Sequence, residues 1–387
     1  MIVEEQTVRI VFASIPGYGH TYPLMPLALA CADAGHEVVI ATGSPMLDRL
    51  PLPTFDAWGD SYPTLGDVEA ETARRHPGAD GMDFGVAMFV DVAGREYAHR
   101  LIDEFGSNRP DLVIAEPTCA GALAAASVRD IPAAVFSIGT SWEPFGAAIY
   151  RDVPQYLGSF WSDRGRAVPP TADLARAYVN PVPPSWSGLD DPPWSTLPVR
   201  TTGFSHGAAP VPAWLATPRG GPCAYVTLGT VAFGAVDALR RAVVETAAAG
   251  VDVLVSIGPD GDPTALGDLP ESVHLERFVA QEQVLPLVDL VVHHGGTGTT
   301  LGALAVGAPQ VIMPQGADQF RNAARLVEVG AGRVVPNEAP DGAMQAAVIG
   351  ILQGHAEREV ARRFAAEIAA MPAPAEVVGT LEHLATK

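Results

Sequence analysis

The densest cluster of residues able to do chemistry is the run Val291-Val292-His293-His294-Gly295-Gly296-Thr297-Gly298-Thr299-Thr300. An apolar strand pattern enters it, and a helical pattern (Leu301, Leu304, Ala305) leaves it. Glycines let a backbone approach a ligand closely. The first turn of a helix leaves N–H groups unpaired at the positive end of its dipole. The threonine hydroxyls and an imidazole add side-chain donors. A strand, a glycine turn and a helix start in this order suit an anion, and a pyrophosphate in particular.

A second cluster lies near the N-terminus, where Pro16-Gly17-Tyr18-Gly19-His20 follows the apolar run 8–15. An imidazole at the carboxyl end of a strand can act as a general base, since it ordinarily titrates near about 6.5. Such a base needs a carboxylate to orient it. Glu116 is the candidate, because it ends the strand pattern 111–115, whose carboxyl end should lie near that of the first strand. Further on, Asp318-Gln319 follows the strand pattern 310–313 and the turn Pro314-Gln315-Gly316-Ala317. A carboxylate accepts hydrogen bonds and an amide both accepts and donates, which suits sugar hydroxyls. The same Asp318 could cap a helix. Phe278, after the strand pattern 273–275, could stack a nucleobase or fill the core.

The elements that must hold these residues alternate between strand and helix. Strand patterns at 8–15, 37–41, 111–115 and 133–138 are interleaved with helical patterns around Leu24–Cys31 and at 120–128. A Pro- and aromatic-rich stretch of weak periodicity (140–200) follows, then a Gly/Pro-rich segment. Alternation restarts with strands at 224–228, 251–257, 290–293 and 310–313 and helices at 237–249 and 299–306; helical patterns at 357–368 and 377–384 close the chain. Alternation of this kind predicts parallel βαβ units. The 387 residues divide into an N-terminal domain (1–205), a linker (206–221), a C-terminal domain (222–370) and a last helix (371–387). A net charge of −20 argues against nucleic-acid and anionic-membrane partners, which need clustered Lys and Arg; Lys387 is the sole lysine. Cys31, Cys119 and Cys223 are too few and too scattered for a disulfide framework and read as buried small residues. No basic leader precedes the first strand and no apolar run approaches a membrane span, so a cytoplasmic protein without membrane anchoring is expected.

Taken in order, these segments resemble the inverting glycosyltransferases of family 1, with the GT-B fold, and within them the actinobacterial subgroup that decorates polyketides, macrolides and enediynes. The residues carrying the resemblance are Gly17 through Leu24, Ala34-Gly35-His36-Glu37-Val38, Val226-Thr227-Leu228-Gly229-Thr230, Phe278-Val279-Ala280-Gln281, His293 through Thr299, and Gly307-Ala308-Pro309-Gln310 with Ala317 through Ala323. The resemblance implies an α/β protein of two Rossmann-like parallel-sheet domains facing across a cleft. It implies transfer of a sugar or deoxysugar from a nucleotide donor to a hydroxyl of a bulky hydrophobic natural product. By resemblance His20 is the base; Glu116 stands where the family usually has Asp. His294, Gly296, Thr297, Gly298 and Thr299, with Thr230, match the pyrophosphate site. Phe278 stands where a base-stacking Trp is common, Val279 where the backbone meets the base, and Asp318 and Gln319 match the sugar-hydroxyl pair. Plant relatives carry a ribose-clamping Glu where this chain has Gly302, which favours a dTDP over a UDP donor. Gly19, Phe84, Trp142 and Phe145 are expected on the acceptor side, within a wider aromatic set that includes Phe89 and five tryptophans and that is partly core. No metal-ligand cluster is visible, so catalysis without metal or cofactor is expected.

Three patterns fail on context. Gly203-Phe204-Ser205-His206-Gly207 matches a nucleophile elbow, but proline-rich residues follow it and not a helix. Asp260-Gly261-Asp262 sits in a Gly/Pro turn. The dinucleotide fingerprint lacks its third glycine. Two other readings share the architecture: a sugar-nucleotide 2-epimerase, which would turn over donor alone, and a non-catalytic helper, which would tolerate loss of His20. The oligomeric state stays open between monomer and homodimer.

Overall fold

A computed structural model describes residues 7–140, 144–187, 192–207, 210–217, 220–229, 236–258 and 261–386. Contacts divide the chain into two units. One comprises residues 1–182, 187–200 and 372–387; the other comprises 183–186 and 201–371.

Among the described residues the first unit holds a seven-stranded sheet: β1 (Arg9–Ala13), β2 (Glu37–Thr42), β3 (Thr54–Asp56), β4 (Leu112–Ala115), β5 (Ala133–Phe136), β6 (Ala177–Asn180) and β7 (Ser195–Pro198), in the order β3-β2-β1-β4-β5-β6-β7. The second unit holds β8 (Cys223–Thr227), β9 (Asp252–Ser256), β10 (Val273–Glu276), β11 (Leu290–His293), β12 (Gln310–Ile312) and β13 (Gly332–Val334), ordered β10-β9-β8-β11-β12-β13. Every pairing is parallel. A parallel sheet is covered on both faces, so its central strands are continuous apolar runs and not alternations. All four residues of β4, of β5 and of β11, and all five of β8, are buried.

The two orders share a consequence. In each sheet the chain winds outward one way and then restarts on the other side, between β1 and β4 in the first unit and between β8 and β11 in the second. Ligands of open α/β sheets bind beyond the carboxyl ends of the strands at such a reversal.

Helices form where the sequence reads helical, at Met25–Asp33, Ala120–Val128 and Thr297–Val306, the last stopped by Gly307 at φ +72°. Stretches not read as helix or strand in the sequence also fold. Leu65–Arg75 starts on a capping box between Thr64 and Asp67. Phe145–Leu157 carries Pro154 inside it, and β6 and β7 lie in the stretch of weak pattern. Between the helices Gly81–Val86 and Ala93–Ser107 the chain takes a π-helical turn, Ala87–Val92. The last helix, Pro374–Thr386, packs in the first unit, where Glu382 meets the buried His36 imidazole at 2.9 Å. Pro183–Trp186 belongs to the second unit: Trp186 packs edge-to-face on Phe364, and Arg325 donates to the Ser185 and Trp186 carbonyls.

Candidate active site

In the first unit, β1 and β4 pair in register, Ala13 opposite Ala115, and Glu116 N–H continues the ladder to the Ala13 carbonyl at 3.1 Å. The segments after the two strands therefore leave the sheet side by side. The first makes a helical turn, Tyr18–Thr21, in which His20 N–H and Thr21 N–H donate to the Gly17 carbonyl. The buried Thr21 hydroxyl bonds Ser14 and the Ile15 carbonyl and pins this turn.

This places His20 Nδ1 at 3.3 Å from Glu116 Oε1, as the strand ends suggested. The carboxylate is fully buried, while the His20 side chain keeps 29% of its surface. Glu116 accepts from Ile15 N–H (3.3 Å), from Thr118 N–H (2.7 Å) and from the Thr118 hydroxyl. Burial pushes the Glu116 carboxyl up, but the His20 charge and the donors of His20 and Thr118 outweigh burial and hold it below its ordinary range. An ionised carboxylate has no proton to give. Nδ1 of His20 is therefore the nitrogen that donates to Glu116, which leaves Nε2 as the ring's other nitrogen. Thr118, whose hydroxyl also lies 3.4 Å from His20 Nδ1, has no signal in sequence beyond its place two residues past Glu116.

Phe84, Phe89 and Phe145 sit half-buried at the rim of the first unit's core. The Phe89 ring lies 6.4 Å from that of His20 and 6.1 Å from that of Phe145, at 82° to it. Gly19 is exposed, and a Cβ there would meet no atom within 4 Å. Trp58, Trp161 and Trp194 are buried in the same core, and Trp186 is buried in the second unit. Those aromatics are structural, whereas the phenylalanines are at the surface. Trp142 lies outside the described residues.

In the second unit the glycine turn joins β11 to the helix Thr297–Val306, with Gly296 at the cap position. Gly295 sits at φ +95°, and a Cβ there would come within 2.8 Å of Ile312. The fully buried His293 shapes this turn: Nδ1 accepts from Gly295 N–H (3.1 Å) and Nε2–H donates to Gln310 (2.8 Å), which in turn donates to the Thr300 carbonyl. Burial drags the His293 pKa down to about 3. Sequence reading gave His293 no role, and its partner lies 17 residues away on β12.

His294 fills a slot between two glycines. A Cβ on Gly229 would stand 2.8 Å from its ring, and one on Gly296 only 2.4 Å. Burial lowers its pKa to about 4, against the nearby Asp318 charge and a hydrogen bond to the Thr227 backbone. At neutral pH the ring is an uncharged hydrogen-bonding group.

Asp318 accepts from the Thr297 hydroxyl (2.8 Å) and from Asn322 (3.0 Å), and Asn322 also donates to the Gly295 carbonyl (2.7 Å). Asp318 holds the cap position of the helix Gln319–Val329 without a side-chain cap bond. The side-chain amide oxygen of buried Gln319 closes the turn before it by accepting from Gln315 and Gly316 N–H. Thr299 donates to Gln281 (3.4 Å), and a buried chain of hydroxyls continues from Gln281 through Tyr225, Ser256 and Thr227 to Gly229 N–H. That chain ties the ends of β8 and β9 to the glycine turn. Gly298 is exposed at the first turn of its helix. Phe278 is half-buried and Val279 is core. Thr230 lies outside the described residues. At Gly302 a Cβ would stand 3.1 Å from Leu285.

Ser205 donates to Glu282 in an irregular segment, not on an elbow. Asp262 accepts from Thr264 N–H in a turn, and Asp260 lies outside the described residues. Among the described residues no group of three His, Cys, Asp or Glu could hold a metal ion, and no helix is long and apolar enough to cross a membrane.

Residues 241–384 match the family model of the erythromycin biosynthesis protein CIII-like C-terminal domain. The chain is 32% identical to the L-demethylnoviosyl transferase of Streptomyces niveus over 96% of both chains. It is 29% identical to the elloramycin glycosyltransferase ElmGT of Streptomyces olivaceus over 97% of both. Among solved structures it is similar to the glycosyltransferase SsfS6 of Streptomyces sp. SF2575 complexed with thymidine diphosphate: TM-score 0.78, 25% identity, 97% of this chain and 99% of that one.

Proposed function

The chain belongs to the actinobacterial antibiotic glycosyltransferases of GT-B fold, and on that premise we propose that it moves a deoxysugar from a dTDP donor to a hydroxyl of a bulky hydrophobic natural product, with inversion. The observation that carries the reading is the His20–Glu116 pair: a partly exposed imidazole held at Nδ1 by a buried carboxylate.

In the proposed reaction, Nε2 of His20 takes the acceptor hydroxyl proton as the oxygen attacks the anomeric carbon. The bond from that carbon to the diphosphate breaks on the opposite face, and the electron pair leaves with dTDP. A single displacement of this kind inverts the centre. Glu116 keeps the imidazole in the receptive tautomer and faces the charge it gains. The growing charge on the diphosphate is met by His294 and by the N–H groups of Thr297, Gly298 and Thr299, oriented before reaction. A helix dipole in such a position contributes about 0.3–2 kcal/mol. Asp318 and Gln319 flank this turn as candidate partners of sugar hydroxyls. A dTDP donor is supported by the thymidine diphosphate complex of SsfS6 and by Gly302, which offers no carboxylate to a ribose 2′-hydroxyl. This chemistry needs no metal.

The test is transfer itself. With a dTDP-deoxysugar and a hydroxylated apolar aglycone, the product should carry the anomeric configuration opposite to the donor's, at an undiminished rate in excess EDTA. Retained configuration, or activity lost in EDTA and restored by Mg²⁺, contradicts the proposal.

A further inference from the structure

The π-helical turn Ala87–Val92 is an irregularity inside a long helical stretch, and such turns re-aim side chains at functional sites. Here it is fixed by packing. A Cβ on Gly94 would stand 2.8 Å from the Phe89 carbonyl, so only glycine leaves room for the widened turn. Its other side is held by Asp91, which accepts from Arg95 (2.8 Å) and pairs with His76 (2.9 Å). Residues 86–88 and 90–94 are buried; Phe89 alone in this stretch is half-exposed. Its ring stands 6.4 Å from His20. Phe145 meets it at 82°, and Gly85 makes room for that ring, since a Cβ at 85 would come within 3.1 Å of it. The two phenylalanines thus form a right-angled aromatic corner beside the proposed base.

We propose that this corner makes Phe89 a specificity-determining residue that selects a flat aromatic acceptor, a phenol-type hydroxyl presented to His20. The inference rests on the acceptor side lying at His20, as proposed above. A planar ring can stack on one phenylalanine while presenting its edge to the other, the two arrangements that aromatic quadrupoles favour. A puckered aliphatic ring gains apolar burial from such a corner but neither arrangement.

The test uses the full chain and two probes of the same ten-carbon skeleton, 2-naphthol and decahydro-2-naphthol, each titrated with saturating dTDP present; dTDP is titrated separately. Wild type should bind 2-naphthol more tightly than its saturated counterpart. Phe89→Leu, which keeps apolar bulk without the flat face, should weaken 2-naphthol about five- to tenfold. Binding of decahydro-2-naphthol should change less than about twofold, and dTDP binding should stay the same. Phe89→Ala should weaken 2-naphthol further. Equal weakening of both probes by Phe89→Leu, or no weakening of 2-naphthol, overturns the proposal while dTDP binding leaves the transferase reading standing. A wild-type chain that does not bind dTDP overturns both.

Discussion

At the scale of single residues, the account turns on how fully Glu116 is satisfied. Donors approach both of its oxygens: His20, Ile15 N–H and the Thr118 hydroxyl at one, Thr118 N–H at the other. In Glu116→Gln an amide NH₂ must face one set of donors whichever way it turns. That variant should lose about 1–3 kcal/mol of stability, read as a lower denaturation midpoint, and at least about tenfold in kcat. Wild-type kcat with wild-type stability would mean that another group orients His20. His294 gives a second prediction. With its pKa held near 4, His294 is neutral above pH 6, and a neighbouring diphosphate raises that pKa, so proton uptake on dTDP binding belongs to the acid end. Calorimetry from pH 6 down to 5 should show a pH slope of dTDP affinity that differs between wild type and His294→Asn. A slope unchanged in that variant contradicts the assignment. His20, Glu116 and His294 could be singled out in sequence because each follows a strand that reads clearly. Thr118, His293 and Asn322 were not, because each acts through a partner that only the fold supplies: His293 through Gln310, Asn322 through Gly295.

At the scale of elements, the strands were legible for the reason that makes them central. A strand buried on both faces is a bare apolar run, and β4, β5, β8 and β11 all are. The π-helical turn was not legible, since its cause is a backbone approach between segments distant in sequence. A Cβ on Gly121 would stand 2.1 Å from the Gly94 carbonyl, and one on Gly94 2.8 Å from that of Phe89. Gly94→Ala should therefore drive the π turn toward a regular helix and destabilise the chain by about 1–3 kcal/mol. Phe89 would be displaced with it, so 2-naphthol binding should weaken while dTDP binding is kept. A Gly94→Ala chain as stable as wild type would show that the turn has another cause. The stretch 140–200, read as weakly periodic, holds a helix that contains Pro154 and two short strands.

At the scale of the whole molecule, the two sheets repeat one plan, and the sequence-named residues gather at the reversal of strand order in each: His20 and Glu116 beyond β1 and β4, His294 and its turn beyond β11. The buried histidines of the second unit tie its stability to pH. His293 and His294 are held neutral, with pKa values of about 3 and about 4, whereas an unfolded chain titrates near about 6.5. The unfolded chain thus binds protons that the folded one refuses. Their contribution is full above about pH 6.5 and is lost as pH falls from there toward the folded values. The midpoint of thermal unfolding should drop between pH 6.5 and 4.5, before most carboxylates titrate; a flat curve across that range contradicts it. One variant separates the proposed base from the proposed donor site. For His20→Ala, transfer from a dTDP-deoxysugar should fall by about 10²–10⁴-fold, while the dissociation constant for dTDP stays within about twofold of wild type. Near wild-type turnover at neutral pH would contradict the assignment of the base, and a lost dTDP site would contradict its separation from the donor site.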